Sequence, residues 1–183
     1  MAAMSSELYA DVSVRPAITA DAAGIARLQL AIWAEGLGQD AVTGVDANAV
    51  ESSWLEAITA PADPRSRVLV AMAGPRLVGF AAGTPSNNSP ADGEPWACEL
   101  VALEVTPLER RNGHGSRLLA AVVDLARERG AHHIATWSFE ADEIRLAFLR
   151  GAGLEEAGLR RRLPVPGGER EEILLSGAIG ERY

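Results

Sequence analysis

This sequence predicts an α/β fold, with a mixed, mostly antiparallel central sheet of six to seven strands and about four flanking helices, on three observations. Two apolar runs, Arg67 to Ala73 and Arg76 to Gly83, flank the turn pair Gly74-Pro75 and read as an antiparallel hairpin. From Trp96 to Gly151, strand-like runs alternate with segments of helical periodicity. A second pair, Leu154 to Leu163 and Glu169 to Ser176, surrounds Pro164-Val165-Pro166-Gly167-Gly168 and reads as a closing hairpin.

The elements follow in order. Residues 1–11 read as a flexible leader, and residues 12–183 as a single domain, because 183 residues of which 48% are hydrophobic suffice for one substantial core. Val12 to Arg15 alternates as a first strand before Pro16. Thr19 or Asp21 can cap a helix with Ile25, Leu28, Ala31 and Ile32 on one face, ending at Gly36. Asp46 or Asn48 can cap a second helix through Trp54 and Ile58, which Pro61 and Pro64 stop. After the first hairpin, Thr84 to Pro95 is rich in Pro, Asn, Ser and Gly and reads as a mobile loop. Trp96 to Val105 is a strand ended by Thr106-Pro107. Leu118, Val122 and Leu125 mark a helix closed by Gly130, Ile134 to Phe139 a strand, and Glu143 to Gly151 the last helix.

A formal net charge of −8 repels nucleic acid phosphates, so no nucleic-acid partner is expected. The single cysteine, Cys98, excludes an intrachain disulfide and fits a reducing compartment, which points to the cytoplasm. No apolar run is long enough to span a bilayer and Met1 to Ala10 lacks a signal pattern, so no membrane association is expected. Cys98 reads as a small core residue and His114 as an exposed loop residue. His132 and His133 are neighbours in a strand and face opposite ways, and no zinc-site spacing exists, so no metal is expected.

The most informative stretch runs from Leu103 to Leu119 (LEVTPLERRNGHGSRLL). A strand enters a turn, Gly113 and Gly115 follow at alternate positions, and a helix leaves. Glycine permits positive φ and lets a ligand approach without a Cβ in the way. The unpaired N–H groups and dipole of the following helix make an anion site suited to a pyrophosphate, with Arg110, Arg111 and Arg117 adding positive charge. A Walker loop would need Lys-Ser or Lys-Thr after its last glycine, and a Rossmann fingerprint a third glycine or alanine where Leu118 stands. Both fail.

Arg110, Gly113 and Gly115 instead match the Arg/Gln-x-x-Gly-x-Gly/Ala signature, so the chain resembles the GCN5-related N-acetyltransferase (GNAT) superfamily. Leu103, Val105 and Pro107 reproduce the strand ending that precedes this motif in the family, and Phe148 to Leu154 resembles its Phe-Tyr-x-x-x-Gly-Phe segment. The resemblance implies the GNAT fold and transfer of the acetyl group of acetyl-CoA, a co-substrate, to a primary amine of a small molecule or peptide, by direct attack in a ternary complex. It also implies that the main chain of Leu103 and Val105 pairs with the pantetheine arm. The loop of Arg110, Arg111, Asn112, Gly113, His114, Gly115 and Ser116 would hold the pyrophosphate, and Phe148 would flank the arm. A homodimer is compatible with the family.

An alkyl ammonium of pKa near 10 must lose a proton before it attacks, so a base is useful. Glu99 sits where the superfamily's histone acetyltransferases place a glutamate base and is preferred over Glu104; the two lie on opposite faces by alternation unless a bulge intervenes. Many family members protonate the departing thiolate with a tyrosine at the position held here by Leu149, and Tyr9 and Tyr183 lie near the chain ends. That departure motivates the alternative of an acyl-CoA-binding or sensing domain with little catalytic activity. The acceptor pocket is expected around Trp33, 34–44 and 84–95.

Overall fold

The computed structural model describes residues 12–86, 96–165 and 167–180. The proposed leader and most of the Thr84 to Pro95 loop fall outside these residues. The strands are β1 (Val12–Pro16), β2 (Arg67–Ala73), β3 (Arg76–Pro85), β4 (Trp96–Val105), β5 (Ala131–Phe139), β6 (Glu155–Val165) and β7 (Gly168–Ala178). The helices are α1 (Ala22–Leu37), α2 (Ala47–Thr59), α3 (His114–Glu128) and α4 (Glu143–Gly151). They form one mixed sheet in the order β1-β2-β3-β4-β5-β7-β6, as the alternation of elements predicts. No helix among the described residues is long and apolar enough to cross a membrane.

Helix ends show which local signals prevailed. The Asp46 carboxylate accepts from the amide of Asn48 at 2.9 Å and caps α2. Asp21 precedes α1, but its carboxylate is taken by the amide of Ile18 and by both terminal nitrogens of Arg15. The first helix runs past Gly36 to Leu37, because the residue that leaves helical space is Gly38, at φ 92°.

The sheet is covered on both faces. On one side α3 and α4 bring Leu118, Leu119, Val122, Leu146 and Leu149 onto Cys98, Leu100 and Leu103 of β4 and Leu175 of β7. On the other side Ile25 of α1 and the α2 residues Trp54 and Ile58 cover Val70, Phe80 and Ala102. Trp54 meets Phe80 edge-on, with ring centroids 5.1 Å apart. Each fully buried large apolar side chain contributes about 1.5–3 kcal/mol, so the two clusters hold the sheet rigid between them.

Two irregularities in β4 create the site. Against β3 the register runs Ala82 with Ala102 and then Gly83 with Leu100, which leaves Val101 as a bulged extra residue. Against β5 the pairing is parallel and covers only Trp96–Glu99 opposite Ala131–Ala135. The buried Thr136 hydroxyl then donates to the Leu100 carbonyl at 2.8 Å. Beyond this point β4 and β5 separate, and among the described residues the edge of β4 from Val101 to Val105 has no strand partner on that side.

Candidate active site

The loop leaving β4 is shaped by its residues one at a time. Pro107 opens a 3₁₀ turn through Glu109, Arg111 takes a left-handed backbone at φ 69°, and Gly113 another at φ 79°. A left-handed arginine costs of order 1–3 kcal/mol, which the surrounding structure must impose. Arg76 of β3, and then Asn112, bond the Glu109 carboxylate at 2.7 Å and 3.1 Å and hold it below the ordinary carboxylate range. This strut ties the loop to the sheet.

Gly113 is the N-cap of α3, and among the described residues no side chain caps that helix, so its first amides face the loop. A Cβ on Gly115 would lie 3.7 Å from Phe148 and 3.9 Å from Val105, ordinary contact distances. The protein itself therefore has room for a Cβ here. Phe148 also lines a groove of about 630 Å³ between α3 and α4, beside Ser116, Leu119, Ala120, Ala147 and Gly151. Arg111, Asn112, Ser116 and Arg117 are exposed around the helix start.

One of the loop expectations, the exposure of His114, is corrected, and Arg110 is found in an ion pair. His114 is 2% exposed rather than open to solvent, because it is the first residue of α3 and its ring turns inward, with Nε2 3.7 Å from the Glu109 carboxylate. Arg110 turns away from the helix start. Its terminal nitrogens pair with Glu35 of α1 at 2.7 Å and 3.1 Å, and its Nε donates to the Val105 carbonyl at 3.3 Å.

The free edge of β4 carries a second arginine. Arg145 rises from the first turn of α4, donates to the Leu103 carbonyl at 2.9 Å and lies 3.5 Å from the Glu104 carboxylate. Burial raises the Glu104 carboxyl above its ordinary value, while Arg145 and Arg110 pull it back.

The bulge also overturns the expectation that Glu99 and Glu104 point apart. Cys98 and Leu100 before it, and Leu103 and Val105 after it, face α3. The extra residue resets the alternation, so Glu99, Ala102 and Glu104 share the opposite face. Glu99 lines a small cavity of about 190 Å³ with Val101, Trp137, Arg161 and Glu172. Arg161 of β6 stands opposite Glu172 of β7 in register, bonds it at 2.6 Å, and lays its guanidinium 4.3 Å from the centre of the Trp137 ring. Glu172 is 8% exposed and shares its charge with Arg161; among the described residues Glu99 forms no ion pair.

Trp137, Arg161, Glu172 and Arg145 carried no local motif and were missed by the sequence reading. A signal for one pair existed: three arginines, 160–162, on one leg of the last hairpin oppose the acidic run Glu169, Glu171, Glu172 on the other. Trp33 is 38% exposed on α1, and the cavity around Glu99 is not lined by it. Cys98 is 3% exposed in the α3-side core, and burial pushes its thiol up to about 11.

Comparison with known proteins supplies the family. The model of the Acetyltransferase (GNAT) family matches residues 39–154, well over half the chain, from before α2 to just past α4. No curated protein matches the chain in sequence. Among solved structures, the ribosomal-protein-alanine N-acetyltransferase from Brucella melitensis is 25% identical, with a TM-score of 0.73 over 91% of this chain and 99% of that one. The protein yncA from Salmonella typhimurium, solved with acetyl-CoA, shares the fold at 19% identity and a TM-score of 0.71, covering 93% and 95%. NAA60 from Arabidopsis thaliana, solved with a bisubstrate analogue, does so at 11% identity and 0.70, covering 92% and 99%. With its glycine loop, splayed strands and matching family model, this chain belongs to the GNAT acetyltransferase family and is an acetyl-CoA-dependent acetyltransferase.

Proposed function

We propose that this chain passes the acetyl group of acetyl-CoA to a primary amine of a small molecule or peptide, by direct attack in a ternary complex, with Glu99 as the base. One observation carries the reading: the free edge of β4 runs from the glycine loop on one side of the sheet to the cavity containing Glu99 on the other.

Acetyl-CoA supplies an acetyl group activated as a thioester. The first amides of α3, from His114 through Ser116, with Arg111 and Asn112 beside them, bind its pyrophosphate. Left-handed Gly113 aims those amides, and Gly115 lets the phosphates approach closely. The main chain of Leu103 and Val105 pairs with the amide groups of the pantetheine arm as an added strand would, and Phe148 packs on the arm from α4. Arg110 contributes by holding α1 to the end of β4 rather than by meeting phosphate.

Glu99 takes the proton from the incoming ammonium, directly or through water, because among the described residues this carboxylate forms no ion pair and the nearby Arg161 is bound to Glu172. Trp137 and the Arg161–Glu172 pair form the wall against which the acceptor rests. By its name, the Brucella neighbour acts on a protein alanine, which keeps a peptide amine among the acceptors to test. The activity is assigned to a single domain of residues 12–183.

The test is thiol release from acetyl-CoA against polyamines, aminoglycosides, amino acids and N-terminal peptides, with coenzyme binding measured in parallel by calorimetry. Amine-dependent release supports the reading. Binding without release across the panel would instead favour an acyl-CoA-binding or sensing role.

A further inference from the structure

We propose that Arg145 is a catalytic residue of this enzyme: its guanidinium stabilises the coenzyme thiolate as that thiolate leaves. The inference rests on the proposed course of the coenzyme arm along β4.

Arg145 joins the two sides of the sheet. The apolar residues of its helix, Leu146 and Leu149, are buried in the α3-side core. Its head group reaches the Leu103 carbonyl on the open edge and the carboxylate of Glu104, which belongs to the opposite face. The guanidinium therefore stands on the open edge of β4, along which the proposed arm runs. Its side chain is 22% exposed, so little water competes for it. Once Leu103 pairs with the arm, the carbonyl that holds Arg145 is engaged, and the guanidinium, still beside Glu104, turns its released N–H to the sulfur.

The chemistry calls for such a group. As the amine nitrogen forms its bond to the acetyl carbon, the carbon–sulfur bond breaks and sulfur keeps the electron pair. Glu99 takes the first proton from the incoming ammonium, and the second proton, which the nitrogen carries once bonded to the acetyl carbon, passes to water. No described residue is a tyrosine, and Leu149, one turn beyond Arg145 on the same helix, is fully buried and apolar. A guanidinium stays charged throughout the working pH range and does not serve as a proton donor, but an opposite charge within about 4–6 Å lowers a pKa by about 1–3. A free thiol of pKa about 8.5 would thus leave as a stabilised thiolate and take its proton from water afterwards.

The charged groups that face Glu104 are Arg145 of α4, Asp142 at the N-cap of that helix and Arg110 of the loop, and Glu99 shares the face of Glu104 on β4. Comparing free coenzyme A with desulfo-coenzyme A isolates the thiol, because every protein group is common to both. Calorimetry on the whole chain from about pH 6.5 to 9.5 should show the coenzyme A to desulfo-coenzyme A affinity ratio rising with pH. The total rise should be about tenfold for each unit by which the bound thiol's pKa falls. The sign follows from the bound thiol holding fewer protons than the free one. Arg145→Gln should flatten the rise and Arg145→Lys should keep most of it, with Arg145→Met as a second neutral variant should the glutamine variant not fold. A flat ratio in the unmodified protein, or an undiminished rise in the neutral variant, overturns the role of Arg145. Failure of the unmodified protein to bind either ligand overturns the proposed function instead.

Discussion

The loop from Thr106 to Ser116 and the cavity around Glu99 serve the same splayed strand from its two sides, yet they are built in opposite ways. The loop is contiguous in the chain and offers main-chain groups: the left-handed backbones of Arg111 and Gly113 and the uncapped amides of α3. The cavity is assembled from side chains on four strands, β4, β5, β6 and β7, and its charge balance depends on one cross-strand pair, Arg161 with Glu172. A main-chain site depends on backbone shape and tolerates most side-chain changes except those that intrude on the ligand. A side-chain site loses its chemistry with a single atom.

The largest expected effect therefore lies in the cavity. Glu99→Gln keeps the size and removes the basic oxygen, so the rate of acetyl transfer should fall about 10²- to 10⁴-fold with coenzyme affinity little changed. The variant's rate should climb with pH toward the amine's own pKa, since only the neutral amine then reacts. Steady-state kinetics over pH decides this, and a variant at full rate would show that solvent takes the proton. Because the bulge sets Glu104 on the same face beside Arg145, Glu104→Gln is no neutral control. A larger loss there than at Glu99 would transfer the role of base.

On the loop side, Gly115→Val should weaken coenzyme binding by at least about 1.4 kcal/mol, tenfold, with the fold kept. The distances to Phe148 and Val105 leave the protein room for a Cβ, and valine adds methyls beyond it, so Gly115→Ala beside it separates a loss at the ligand from a disturbance of the helix start. Calorimetry beside circular dichroism reads both, and unchanged affinity would move the pyrophosphate off this loop.

A smaller change should come from Arg161→Ala. The substitution removes a cation–π contact of about 0.5–1 kcal/mol from the Trp137 face and also leaves the nearly buried Glu172 carboxylate without its partner, so thermal stability is measured beside the kinetics. The acceptor KM should shift about two- to fivefold while coenzyme affinity stays constant. A coenzyme effect of equal size would mean that the two regions are not separate.

The smallest effect on either region is expected from Asp21→Asn, which lies in neither. Two bonds from Arg15 and one from the Ile18 amide hold the Asp21 carboxyl below its ordinary value, so its contribution of about 1–3 kcal/mol belongs to stability alone. The folded pKa is depressed, so this stability is present above the unfolded value and is lost as pH falls through the folded one. Thermal denaturation at falling pH should show the difference between Asp21→Asn and the parent chain shrinking toward acid.

What could be read from residues adjacent in the chain was determined by the sequence alone: the order of seven strands and four helices, the hairpins at Gly74-Pro75 and Gly167-Gly168, and the glycine loop with the helix behind it. Turn formation, capping and helical periodicity act over a few residues, so their signals lie side by side. The tertiary structure decided everything that depends on register between distant strands. It placed the bulge at Val101, which no local residue type marks and which turns Glu99 and Glu104 to one face, because side-chain alternation has a period of two and one extra residue reverses it. It buried His114 under the loop, drew Arg110 to Glu35, brought Arg161, Glu172 and Trp137 together, and sent Arg145 across the open edge. Each of these contacts joins residues far apart in the chain, and only the packing of the whole sheet between its helices determines which of the many possible partners a charged side chain meets.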